Sequence, residues 1–156
     1  MRLVYLGIGD KMTTKLLVGL DGHESGARAL SHAQALARLI GDCELVLAYV
    51  IEWSPFAFQT AEENEQRHKR REQEIDTARA RIVDPAVEAM QAEGLTASGV
   101  VQHGHVSDTL DRLAEKHGAE QIIVGRVADT GIGARIFGSS TANLVMQARR
   151  PVTVVN

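Results

Sequence analysis

Two stretches of this sequence hold residue types that could bind a ligand. The first is Gly125-Arg126-Val127-Ala128, followed by nine residues and then Gly138-Ser139-Ser140-Thr141. It leaves the short apolar run Gln121–Val124 and enters an apolar-periodic stretch, so it reads as a glycine-rich loop between a buried strand and a helix N-terminus. In such a loop, backbone N–H groups and the positive end of the helix dipole favour phosphate. The hydroxyls of Ser139, Ser140 and Thr141 would add donors. Spacing alone leaves a second reading equally open, in which Gly125 only ends the strand and Ser139 only caps the helix. The second stretch is Asp21-Gly22, after the run Lys15–Leu20. At the carboxyl end of a strand, Asp21 could accept hydrogen bonds from a ribose or help hold a metal. An Asp-Gly pair in that place also makes an ordinary turn.

Other candidates carry less. His103-Gly104-His105 places two imidazoles at i and i+2 without nearby Cys or acidic ligands, which is no known zinc spacing. There is no Walker-type G-x-x-x-x-G-K-[ST] and no Ser-His-Asp order. Without an evident base or arginine clamp, any hydrolysis of a bound phosphate ester would be slow. The basic run Arg67-His68-Lys69-Arg70-Arg71 is flanked by Glu62, Glu63, Glu65, Glu72 and Glu74, so it reads as a solvated helix face and not as a nucleic-acid site. Arg126 and Arg135 are either phosphate partners of the loop or solvated side chains.

The elements that must position these residues follow from the apolar pattern. Short apolar runs at 15–20, 44–51, 97–102, 121–124 and 151–155 read as strands. Apolar residues recur at helical steps from Ser25 to Ile40, with Ser25 placed to cap and Gly41 to stop the helix. Further helices are expected over 107–117 and 139–147, and the charged segment 62–93 continues a helical stripe through Ile75, Ala78, Ile82, Ala86 and Met90. Pro85 interrupts that stripe, either as a kink or as the first residue of a new helix capped by Asp84. Strands alternating with helices imply an α/β fold with a parallel sheet and a ligand site at the carboxyl ends of its strands.

Composition agrees. A chain of 156 residues suits one domain, and an apolar share of 44% with only 4% aromatic residues points to an aliphatic core between helices and a parallel sheet. The net charge of −3 supplies no global field for nucleic acid. Cys43 has no partner for an internal disulfide, and no run approaches the roughly 20 apolar residues of a membrane span. A cytoplasmic protein without membrane insertion is expected, with residues 1–12 as an N-terminal extension, Met12 as an alternative start, and 13–156 as the domain.

Over Lys15 to Val155 the sequence resembles the universal stress protein family. The resemblance rests on KLLVGLDGHESGARAL, AYVIE, VVQHG, QIIVG, the loop ending in GSST and the closing ARRPVTVV, all in the family's order. It implies a single-domain, open five-stranded parallel sheet of strand order 3-2-1-4-5 with helices on both faces. It also implies a stress-response regulator that binds ATP or another adenine nucleotide, with magnesium as a companion ion, and that pairs as a homodimer through the last strand, 151–155. By the same resemblance Gly19, Leu20, Asp21 and Val50 would contact adenine and ribose, and Val124, Gly125, Val127, Ala128, Gly138, Ser139, Ser140 and Thr141 would surround the phosphates. The family's ATP-binding branch has a second glycine where this chain has Ala128. If that residue needs positive φ, alanine costs roughly 1–2 kcal/mol, about a tenfold loss of affinity. The alternatives are an interaction protein of the same fold that has lost nucleotide binding, and a slow ATPase or self-phosphorylating protein using Ser139, Ser140 or Thr141.

Overall fold

In the computed structural model, which describes residues 12–53, 60–127 and 139–156, five parallel strands form one sheet in the order 3-2-1-4-5. The strands are β1 (Thr14–Leu20), β2 (Cys43–Glu52), β3 (Thr96–Gly104), β4 (Gln121–Gly125) and β5 (Val152–Val155). All sequence-predicted strands are present, mostly one or two residues longer than expected. Pro151 lies just outside β5, where its missing N–H costs no ladder bond, and its carbonyl accepts from Ile122 N–H at 2.9 Å. The extension 1–11, the segment 54–59 and loop residues 128–138, which include the predicted site residues Ala128 and Gly138, lie outside the described residues.

The helices are α1 (Glu24–Ile40), α2 (Ala61–Ala78), α3 (Asp84–Ala92), α4 (Val106–His117) and α5 (Ser139–Gln147). They divide the core in two because strand side chains alternate between faces. On one face Leu16, Val18, Leu45 and Leu47 pack with Ala29, Ala33 and Ala37 of α1 and Met90 of α3. On the other, Leu17, Val46, Ala48 and Ile122 meet Leu110, Leu113 and Ala114 of α4 and Leu144 of α5. Apolar residues on both faces are why these strands read as continuous runs. Cys43 is buried in the first layer, and burial, with Asp42 and Glu44 beside it, pushes its thiol pKa up.

Two local expectations change. The helix start expected at Ser25 is capped differently: His23 is the N-cap, without a side-chain bond, and Ser25 is buried, facing Asp21. Gly41 does end the helix, at φ 86°. Pro85 falls in the first turn of α3, as a restart would place it, but the chain stays helical on the way in. A π-helical turn, Arg79–Val83, joins α2 to α3, and Asp84 N–H donates to the Arg79 carbonyl five residues back. The wider turn makes room for the proline ring, which would otherwise collide with the carbonyl four residues earlier. Asp84 is therefore a helical residue (φ −61°, ψ −43°), not a cap.

Candidate functional site

A cleft of about 320 Å³ opens where the carboxyl ends of β1, β2 and β4 meet the first turns of α4 and α5. It is lined by Gly19, Leu20 and Asp21 from β1, Val50 from β2, Val124 and Gly125 from β4, Val127, and Ser140 and Thr141 from α5. Nine of the predicted site residues thus meet in one hollow, although they come from distant parts of the chain. Ser139 is exposed at the start of α5 and does not line it. Tyr49, Glu52, Val106 and Leu110 also line the cleft and were not anticipated. Val106 and Leu110 stand four residues apart on the apolar stripe of α4, so the helical period was the available signal.

Glycine shapes this cleft in two places, for different reasons. A Cβ on Gly19 would stand 3.0 Å from Val124 Cγ1 and 3.3 Å from Leu110 Cδ1, so the absence of a side chain lets those two residues close the floor. Gly125 answers to the other face. A Cβ there would fall on the carbonyl of Ser25 and 2.9 Å from its Cα, so glycine permits β4 to meet the first turn of α1. Arg28 of α1 donates to the Arg126 carbonyl at 2.7 Å and fixes the start of the loop from the same side.

Asp21 turns out to organise the turn into α1. Its Oδ1 accepts from the His23 and Gly26 amides at 2.8 and 2.9 Å, and its Oδ2 accepts from the Ser25 hydroxyl. These donors occupy three of about four lone-pair positions of the carboxylate. Burial alone would raise the Asp21 pKa, but hydrogen bonds from Ser25, His23 and Gly26 outweigh it and hold the carboxyl below its ordinary value. The carboxyl therefore adds stability that is complete above about pH 4, its unfolded value, and is lost as pH falls through the lower folded one. Asp21→Asn is expected to cost about 1 kcal/mol at pH 7, with the gap from wild type closing below pH 4. Urea melts at several pH values measure this, and a pH-independent gap would exclude the ionised form as the source.

The cleft has the parts a phosphorylated ligand with a flat ring requires. Val50, Leu110 and Val124 give an apolar wall, while the first-turn amides of α5 have no intrahelical partners and add to the Ser140 and Thr141 hydroxyls. The His103-Gly104-His105 pair does other work: His103 Nε2 lies 2.9 Å from Glu74 Oε2, and His105 is the N-cap of α4. No group of three His, Cys, Asp or Glu side chains suited to a metal occurs among the described residues.

Residues 12–156 match the model of the universal stress protein family. The chain belongs to that family. Universal stress protein MJ0531 of Methanocaldococcus jannaschii is 27% identical over 154 residues, 94% of this chain and 84% of the relative. Among solved structures, the universal stress protein UspA of Lactobacillus plantarum superposes with a TM-score of 0.74 at 20% identity, covering 92% of this chain and 98% of that one. A universal stress protein in complex with cAMP gives 0.63 at 23% identity, covering 92% and 97%. The universal stress protein fold therefore frames the cleft, and no described helix is long and apolar enough to cross a membrane.

Proposed function

We propose that this universal stress protein is a cytoplasmic stress-response regulator that binds an adenine nucleotide in the cleft at the ends of β1, β2 and β4. The observation that carries the reading is the convergence of Gly19, Asp21, Val50, Val124, Ser140 and Thr141 on one hollow into which the N-terminal turn of α5 opens. In this reading the base lies against Val50 and Leu110, and phosphate oxygens accept from the α5 amides and the two hydroxyls, with Ala128, Gly138 and Ser139 completing the loop. The related protein in complex with cAMP supports adenine as the base. ATP with magnesium is the family's expected ligand. Ala128 in place of a motif glycine favours a smaller phosphate group, as in AMP or cAMP.

A second reading, a nucleotide-free interaction protein, draws on a specific observation. Gly125 and the Asp21 carboxylate both have packing duties in the β1–α1 turn that need no ligand. Thermal shift with ATP, AMP and cAMP on wild type and on Ala128→Gly separates the two. Nucleotide binding predicts a shift for at least one ligand in wild type and a roughly tenfold tighter ATP interaction in the variant. No shift in either protein would favour the second reading.

Assembly as a homodimer through β5 is part of the same proposal. Among the described residues β5 pairs only with β4, which leaves one side of its backbone without a strand partner there, and its valines are half-buried. Light scattering at high concentration is expected to give twice the 16.9 kDa chain mass. A monomer mass would remove this part of the proposal.

A further inference from the structure

A second hollow, of about 440 Å³, lies between α2 and the ends of β2 and β3, with Glu52 on the boundary between it and the nucleotide cleft. Arg67, Arg70 and Arg71 line it, together with Trp53, Glu74 and His103. At spacings of three and four residues the guanidinium groups share one helix face, where like charges repel. Arg67 and Arg71 are half-buried, and none of the three makes an ion pair among the described residues.

The carboxylates nearby are committed elsewhere. Glu63 closes the capping box with Thr60, and Glu74 pairs with His103, whose side chain is only 9% exposed. Glu52 also lines the groove and makes no ion pair among the described residues. Arg71 sits 4.4 Å from the centroid of the Trp53 ring, which orients that guanidinium and leaves its charge unneutralised. Packing does not account for the cluster either, since Ala78 is the only buried residue among the described side chains of α2. Guanidinium groups that line a groove without a carboxylate in ion-pair contact among the described residues keep their donors available, and they match phosphate oxygens in forked geometry.

We propose that this groove is a second anion site, in which Arg67, Arg70 and Arg71 hold the phosphate group of a small ligand independently of the nucleotide cleft. Trp53 is the only tryptophan of the chain, so its emission reports on the groove alone. The test titrates the full chain with inorganic pyrophosphate at constant ionic strength, following fluorescence and, in parallel, heat by calorimetry. A saturable response is expected, weakened roughly tenfold or more in the double variant Arg67→Gln, Arg70→Gln. Glutamine keeps the helix propensity, and far-UV circular dichroism checks that α2 persists. The variant Ser140→Ala, Thr141→Ala, which alters the cleft, is expected to leave the Trp53 fluorescence response within twofold, whatever heat the cleft itself contributes. The proposal is overturned if Trp53 emission does not saturate, if the arginine variant keeps the wild-type Trp53 response, or if only the cleft variant loses it. A wild type that binds pyrophosphate in the groove yet ignores ATP, AMP and cAMP would uphold this inference while defeating the nucleotide reading.

Discussion

Gly125→Ala is expected to lower the unfolding free energy by about 3 kcal/mol, the upper part of the usual range for overpacking a core. In a domain of this size that corresponds to a fall of about 6–12 °C in Tm. The reason is geometric. The new methyl would occupy the position of the Ser25 carbonyl, a backbone atom in the first turn of α1. No rotamer change relieves such a clash. Either β4 withdraws from β1, disturbing the ladder through Val18–Ile123 and Gly19–Val124, or α1 shifts and loses the amides it gives to Asp21. Urea unfolding of the two proteins measures the effect. A loss below about 0.5 kcal/mol, the size of a neutral surface change, would mean the turn moves freely and that the close approach is not a constraint.

The double substitution Ser140→Ala, Thr141→Ala is expected to do the reverse, removing ligand binding while sparing the fold. Each hydroxyl bonded to a charged phosphate contributes about 1.5–3 kcal/mol, so losing both weakens nucleotide affinity by roughly a hundredfold or more. Stability should change by less than about 1 kcal/mol, because alanine suits a helix better than serine or threonine and neither hydroxyl has a hydrogen-bond partner among the described residues. Calorimetric titration beside a thermal melt separates the two effects. Unchanged affinity would place the phosphates elsewhere. The two experiments divide the glycine-loop signal into its parts: Gly125 answers to packing, whereas Ser140 and Thr141 have no structural duty visible in the fold.

That division shows how far the sequence can be read. The strands were legible because burial on both faces makes them short apolar runs, and Gly41 as a helix stop follows from its freedom at positive φ. The parallel sheet and a site at the carboxyl ends of its strands were also legible from the alternation of strands and helices, whereas the strand order that brings β1, β2 and β4 together was implied by the resemblance to the family. The role of Asp21 was not. A carboxylate three residues ahead of the first helical residue looks the same in sequence whether it holds the turn or a ligand, and only the positions of the His23 and Gly26 amides decide. The π turn before Pro85 was hidden because a kink, a restart and a widened turn all satisfy the same proline. The groove beside α2 was hidden by charge balance. Glu63 and Glu74 cancel arginine charge on paper, but in space they serve Thr60 and His103.

The central claim concerns where a nucleotide sits, and amide chemical-shift mapping tests it most directly. Nucleotide-free protein labelled with ¹⁵N would be titrated with AMP and with ATP and magnesium. The account predicts saturable shifts at Gly19, Leu20, Val50, Val124, Gly125, Ser140 and Thr141, with little change in α3 or the first half of β3. Saturable shifts that leave those seven amides unmoved, or no shifts with either nucleotide at millimolar concentration, would contradict it.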